Sequence, residues 1–209
     1  MNKIDTSIYD NLELLPEDTR GWNGDHNFFH KIIDDVKPSL IVEVGTWKGL
    51  SAINMGKHIL HKQMETKIIC IDTWLGAIEF WDSLAGTNER NLLLKNGYPQ
   101  IYYQFLSNVV HNGLQDVILP FPNTSDNGFR YLSTKNLIPD LIYIDASHEE
   151  EDVYRDVKNY YSVLKSGGVI FGDDFSNWKG VRDAINRFKQ DYNLNYELID
   201  GNFWVIKKP

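Results

Sequence analysis

Apolar positions along this chain follow two rhythms. Short runs, apolar at most positions, recur at Leu40–Val44, Lys67–Ile71, Val117–Pro120, Leu141–Ile144 and Val169–Phe171. Such runs suit strands buried on both faces of a parallel sheet. Between them, apolar residues return every three or four positions, which predicts helices over Asp25–Val36, Ser51–His61, a short stretch after Thr124 ending at Lys135, and Gly180–Tyr192. Lys37-Pro38 closes the first of these. The clearest helix follows Leu141–Ile144. Glu149 to Asp152 suit the positive end of its dipole, and Val153, Val157, Tyr160, Tyr161 and Leu164 share one face. Lys165 is expected in its last turn, with Gly167-Gly168 as the stop. The 76–113 stretch is helical but ragged, its Phe80, Trp81, Tyr98, Tyr102, Tyr103 and Phe105 set among polar residues. Tyr196–Ile199 and Phe203–Lys207, turned at Asp200-Gly201, read as a hairpin. Helices alternating with five buried strands predict a doubly wound α/β sheet, mostly parallel and closed by an antiparallel C-terminal hairpin. Residues 1–37 are expected to form an N-terminal segment and helix covering a domain over 38–209. Within that segment, 1–24 is irregular, with Leu12, Leu14, Leu15 and Trp22 as anchors.

Composition narrows the class. A chain of 209 residues, 42% hydrophobic and 24% charged, fits one globular domain with a sizeable core. Its net charge of −8 argues against nucleic acid as the main partner, since phosphate binding needs a basic face. One cysteine, Cys70, permits no internal disulfide and suits a reducing compartment. The first residues lack a signal-peptide core and no apolar run reaches membrane-spanning length, so a cytoplasmic protein without a membrane partner is expected. A small-molecule partner fits, and residues 1–24 leave room for a homo-oligomer.

The chemistry concentrates at strand ends. Asp145 follows Leu141–Ile144, and Asp173 with Asp174 follow the next strand. Parallel neighbours lie about 4.8 Å apart, so these tips meet at the edge where open α/β sheets bind ligands. Three carboxylates there repel one another unless a cation lies between them, and oxygen-only donors suit Mg²⁺ first, then Mn²⁺ or Ca²⁺. Adjacent Asp173 and Asp174 can share one ion only from a loop, which Gly172 is expected to make easy. A second motif, Glu43-Val-Gly45-Thr46-Trp47-Lys-Gly49, ends a strand in glycines and enters a helix through Ser51. Backbone N–H groups at such a turn face an anion. The middle glycine of the dinucleotide fingerprint is missing, and Glu43 stands two residues before Gly45. Asp72, with Thr73 and Trp74 beyond it, occupies the next strand tip, where an acid takes ribose hydroxyls.

These segments, VEVGTWKGLSA, CIDTW and DLIYIDASHEEEDVYRDVKNYYSVLKSGGVIFGDDF, resemble the successive motifs of class I S-adenosylmethionine (SAM)-dependent methyltransferases. The likeness covers roughly residues 38–208 and is strongest to metal-dependent O-methyltransferases of the catechol and antibiotic-sugar type. It implies a Rossmann-like seven-stranded sheet, with Glu43, Gly45, Thr46, Trp47 and Gly49 in the methionine-side loop and Ser51 on the carboxylate. It places Asp72, Thr73 and Trp74 at the ribose, and Ser125 with Asp126 beside the adenine. Asp145, Asp173 and Asp174 fall on the metal-ligand positions, Asp145 also bordering the cofactor and serving catalysis. His148 stands where the catechol enzymes carry a catalytic lysine, which favours the sugar-type branch, and an imidazole exchanges protons near neutral pH. The implied reaction is methyl transfer to a small vicinal-diol or sugar-like acceptor, with 76–113 as a lid over it. The pattern also resembles cephalosporin hydroxylase-like proteins. A metal-free methyltransferase and a SAM-binding module without turnover share the same loop.

Overall fold

The five apolar runs lie side by side in a computed structural model, which describes residues 7–81 and 92–209. They form β1 (Leu40–Val44), β2 (Lys67–Asp72), β3 (Ile118–Pro122), β4 (Leu141–Ile144) and β5 (Val169–Gly172). The hairpin supplies β6 (Glu197–Ile199) and β7 (Phe203–Lys207). The sheet runs β3-β2-β1-β4-β5-β7-β6, parallel from β3 to β5 and antiparallel at β7 and β6. The seven-stranded, mostly parallel sheet is as expected. β3 begins one residue later than predicted and runs to Pro122. Its Pro120 and Pro122 are tolerated because β3 is an edge strand, where a missing N–H faces outward. The opposite edge, β6, is only three residues long, which discourages further pairing.

Alternate residues of each strand feed two cores. Ile41, Ile68, Ile118, Tyr143 and Phe171 pack against α1 (Phe28–Val36), α2 (Leu50–His61) and α3 (Ile101–His111). Val42, Ile69, Ile142, Ile170 and Trp204 pack against α4 (Ser125–Thr134), α5 (Glu150–Val163) and α6 (Lys179–Tyr192). Each core is sealed by fully buried side chains such as Phe29 and Phe105 on one side and Tyr160 and Phe188 on the other. None of the helices among the described residues is long and apolar enough to cross a membrane.

Two helix boundaries moved for physical reasons. α1 starts at Phe28 rather than Asp25, because Asn23 is left-handed (φ 52°) and the His26 ring accepts the Phe28 N–H at 3.1 Å. α5 stops at Val163, and Leu164 is already extended. Lys165 is therefore not in the last turn; its ammonium donates to Asp140 Oδ1 at 2.6 Å. Gly45 and the acidic tips all lie at the carboxyl edge of the sheet.

The N-terminal segment lies along α3. Asn108 accepts the Asp18 N–H at 2.9 Å and donates to the carbonyls of Asp18 and Lys48 at 2.8 Å each. Ser107 accepts the Leu15 N–H at 3.0 Å, and Gln104 donates to Pro16 O at 2.8 Å. The buried Lys48 ammonium meets Asp18 at 2.8 Å, tying this strap to the glycine loop. Residues 1–6 of the segment, and 82–91 of the expected 76–113 lid, lie outside the described residues.

Candidate active site

The glycine loop is built against the neighbouring strand tip. Gly45 has φ 83°, and a Cβ there would lie 2.0 Å from the Asp145 carbonyl oxygen. Only glycine lets the loop touch β4 this closely. Its N–H donates to Ile71 O at 2.9 Å, so β1, β2 and β4 meet at this one residue. Glu43, fully buried on β1, accepts a hydrogen bond from Ser51 Oγ and one from Cys70 Sγ at 3.6 Å. Burial pushes its carboxyl up to about 8, against the Ser51 hydrogen bond and with help from the Asp145 charge. Ser51, expected on the cofactor carboxylate, is here turned onto Glu43. Asp72 Oδ2 accepts the N–H groups of Thr46 at 2.9 Å and Trp47 at 2.8 Å, and Oδ1 that of Trp74 at 2.7 Å. Trp74 in turn donates its indole N–H to Trp47 O at 2.8 Å. Asp72, expected at the ribose, anchors both loops here, and only its Oδ1, which accepts one N–H, keeps a further lone pair for a hydroxyl. Thr73 is exposed and caps the Leu75 N–H at 3.2 Å, while Gly49 opens α2 in a left-handed conformation.

Ser125 and Asp126 sit on the adjoining rim. The loop before them reaches Asp72 through Asn123 N, which donates to Asp72 O at 2.9 Å. Both side chains are engaged with α5: Ser125 Oγ with Asp156, and Asp126 with Asn159 Nδ2 at 3.2 Å. Burial pushes Asp156 up to about 6.

The acidic tips form the other half. Asp145 Oδ2 accepts the Tyr143 hydroxyl at 2.9 Å. Burial, then the charges of Asp173 and Asp174, push its carboxyl up to about 7. Asp173 accepts from Asn23 Nδ2 at 3.1 Å, from Asn202 Nδ2, and from the Asp174 N–H at 2.7 Å. Asp174 Oδ2 lies 3.1 Å from His148 Nε2, and the His148 ring stacks on Trp178 at 4.0 Å. Among the described residues, no three His, Cys, Asp or Glu side chains converge as a ready cage for an ion. Asp173 is turned onto its amides and Asp174 onto His148. The irregular backbone is carried by Asp174 itself (φ 67°), not by Gly172, which ends β5. Gly172 is needed for space, since a Cβ would lie 2.4 Å from the Trp204 ring.

Three participants were missed from sequence: Tyr143, Asn23 and Asn202. Tyr143 carried a signal, since residues two apart in an extended chain share a face, which sets its hydroxyl beside Asp145. Asn23 comes from the N-terminal segment and Asn202 from the hairpin turn, and no spacing announces either. Left-handed backbone marks the same edge, at Trp47 (φ 53°), Trp74 (φ 52°) and Asp174. Non-glycine residues in that region are uncommon and cluster at ligand sites.

This strand order, with a glycine loop after β1 and acids at the tips of β2, β4 and β5, is the Rossmann-like methyltransferase fold. The chain belongs to the family described as a methyltransferase domain (Methyltransf_24), which matches residues 42–175. Uncharacterized protein R132 of Acanthamoeba polyphaga mimivirus is 26% identical over 155 residues, covering 72% of this chain. The chain spans 59% of the length of that curated relative. Among solved structures, the O-methyltransferase NovP superposes with a TM-score of 0.67 at 16% identity, over 87% of this chain and 78% of that one. An O-methyltransferase from Bacillus cereus in complex with S-adenosylhomocysteine (SAH) gives 0.59 at 14%, over 93% and 84%. CalS11, a TDP-rhamnose 3'-O-methyltransferase of calicheamicin biosynthesis, gives 0.56 at 18%, over 87% and 76%.

Proposed function

We propose that this protein is a SAM-dependent O-methyltransferase that acts on a small vicinal-diol or sugar-like acceptor and uses a divalent cation, Mg²⁺ first. One observation carries the reading: the glycine loop and the acidic cluster share a wall, with Gly45 packed on the backbone of Asp145. A donor held by the first is therefore next to an acceptor held by the second. The SAH-bound Bacillus cereus enzyme supports the donor, and the sugar nucleotide named for CalS11 supports the acceptor class.

Asp145, Asp173 and Asp174 would hold the cation. Their chemistry fits it, because they are oxygen donors at neighbouring strand tips, and burial together with the charges of Asp173 and Asp174 raises the Asp145 carboxyl. A bound ion would supply positive charge that lowers the acceptor hydroxyl's pKa. The remaining work belongs to the chain. Asp72 holds Thr46, Trp47 and Trp74 in place, so the donor meets a pre-ordered loop. The acceptor oxygen attacks the methyl carbon, the carbon–sulfur bond breaks, and SAH leaves with the sulfur electron pair. The hydroxyl proton passes to the imidazole of His148, whose ring is held by Asp174 and Trp178.

The amide contacts of Asp173 favour a second reading, in which the carboxylates act only as hydrogen-bond acceptors and no metal is needed. Methyl transfer from labelled SAM separates the two. EDTA should abolish turnover and Mg²⁺ restore it; full activity in EDTA would remove the metal and leave the second reading.

A further inference from the structure

The first turn of α4 is held by one stripe of α5. Ser125 Oγ donates to Asp156 Oδ1, and Tyr160 donates its hydroxyl to Ser125 O at 2.8 Å. Asn159 Nδ2 donates to Asp126 at 3.2 Å, and Arg155 Nε lies 3.6 Å from the same carboxylate. Within this stripe Asp156 is only 3% exposed, an unusual place for a carboxylate that no step of methyl transfer uses. Ser125 keeps part of its surface open.

The order of strands brings the donor's base to this turn. The glycine loop follows β1, Asp72 ends β2 and α4 follows β3, so the three lie in sequence across the carboxyl edge. Asn123 N donates to Asp72 O at 2.9 Å, which ties the two outer tips together. A nucleoside with its amino-acid arm on the glycine loop and its ribose at Asp72 therefore extends its base to Ser125. A hydroxyl has one proton and two lone pairs. The Ser125 proton is committed to Asp156, so the oxygen offers only lone pairs to the base. A lone pair accepts the exocyclic N–H of adenine, whereas it meets another lone pair on the oxo group of hypoxanthine.

We propose that Asp156 is a positioning residue that makes the Ser125 hydroxyl a fixed acceptor, and that this pair selects a donor whose base carries an exocyclic amino group over one with an oxo group there. The proposal rests on the methyltransferase reading and adds the residues that choose the donor's base. It also carries a pH dependence. Burial raises the Asp156 carboxyl to about 6 against the Ser125 hydrogen bond and the Arg155 charge, with Asp126 and Asp152 adding to the rise. The Tyr160 hydroxyl is the other titratable group beside it. Above that value the carboxylate holds the serine proton. Below it, the protonated Asp156 can donate to Ser125 Oγ, which frees the serine proton to face the base and removes the preference.

Calorimetry with SAH and S-inosylhomocysteine tests this. The two ligands differ only in the base, so their affinity ratio cancels every effect on the ribose and the amino-acid arm. Wild type at about pH 7.5 should favour SAH at least about tenfold. The ratio should fall towards unity as pH drops through about 6. Ser125→Ala and Asp156→Ala should bring it towards unity at every pH, while Ser125→Thr keeps it. A wild-type ratio near unity, a ratio that stays constant across the pH series, or a folded alanine variant that still favours SAH overturns the proposal alone. The pH series and Ser125→Ala leave the buried carboxylate in place, so they decide the matter even where Asp156→Ala unfolds. A wild-type protein that binds neither ligand overturns the methyltransferase reading, and the role of Asp156 falls with it.

Discussion

Asp140 clamps the sheet at the edge opposite the candidate site. Its Oδ2 accepts Ser39 N at 2.8 Å, Ser39 Oγ at 2.7 Å and Leu40 N at 3.1 Å, and Lys165 Nζ reaches Oδ1 at 2.6 Å. One buried carboxylate thus joins the starts of β1 and β4 to the turn entering β5. Burial alone would raise its pKa, but the hydrogen bonds from Lys165 and Ser39 prevail and bring it down from 3.8 to about 2. At ~1.4 kcal/mol per unit, that fall corresponds to roughly 2–3 kcal/mol of folding stability. A carboxyl with a lowered folded-state pKa stabilises the fold above its unfolded pKa, and the contribution is lost as pH drops through the folded value. Asp140→Asn should therefore destabilise the protein by roughly 2–3 kcal/mol at about pH 7, and the difference from wild type should halve near about pH 3. Lys165→Met should cost less, about 1 kcal/mol or below, because the ammonium is largely in solvent. Urea unfolding followed by far-UV circular dichroism reads both, and SAH affinity should not change in either variant. An Asp140→Asn loss under about 0.5 kcal/mol, or a difference that stays constant as the solution is acidified, would refute the reasoning.

Asp72→Ala removes the acceptor of three loop N–H groups, so SAH binding should weaken at least about tenfold, ~1.4 kcal/mol, by calorimetry in a protein that still folds. An unchanged dissociation constant would separate Asp72 from the donor site. Gly45→Ala must place a methyl 2.0 Å from the Asp145 carbonyl in a left-handed conformation. It should lower stability by roughly 2–4 kcal/mol and abolish detectable SAH binding; a melting curve like wild type would mean the loop does not touch β4 as described.

The strands were legible because their runs are short and apolar at most positions, and β1, β4 and β5, buried along their whole length, carry Glu43 as their single charged residue. The hairpin was legible from Asp200-Gly201, whose left-handed pair turns β6 into β7. Boundaries slipped where side chains outside the helix decided them, as His26 does for Phe28 and Asp140 does for Lys165. At the site, proximity follows from parallel strands, so the meeting of Gly45, Asp72 and Asp145 could be read from the order of elements. What each side chain bonds to could not. Ser51 faces Glu43 because both are buried on one face of the first core, and Asp173 takes amides from segments 150 residues before it and 29 residues after it. Contacts over such separations leave no local pattern in a single sequence.

The most direct test of the central claim is a calorimetric titration of the wild-type protein with SAH and, separately, with NAD. A site built on Glu43, Gly45 and Asp72 without the dinucleotide fingerprint should bind SAH at one site and leave NAD unbound. Binding of NAD with no heat from SAH would contradict it.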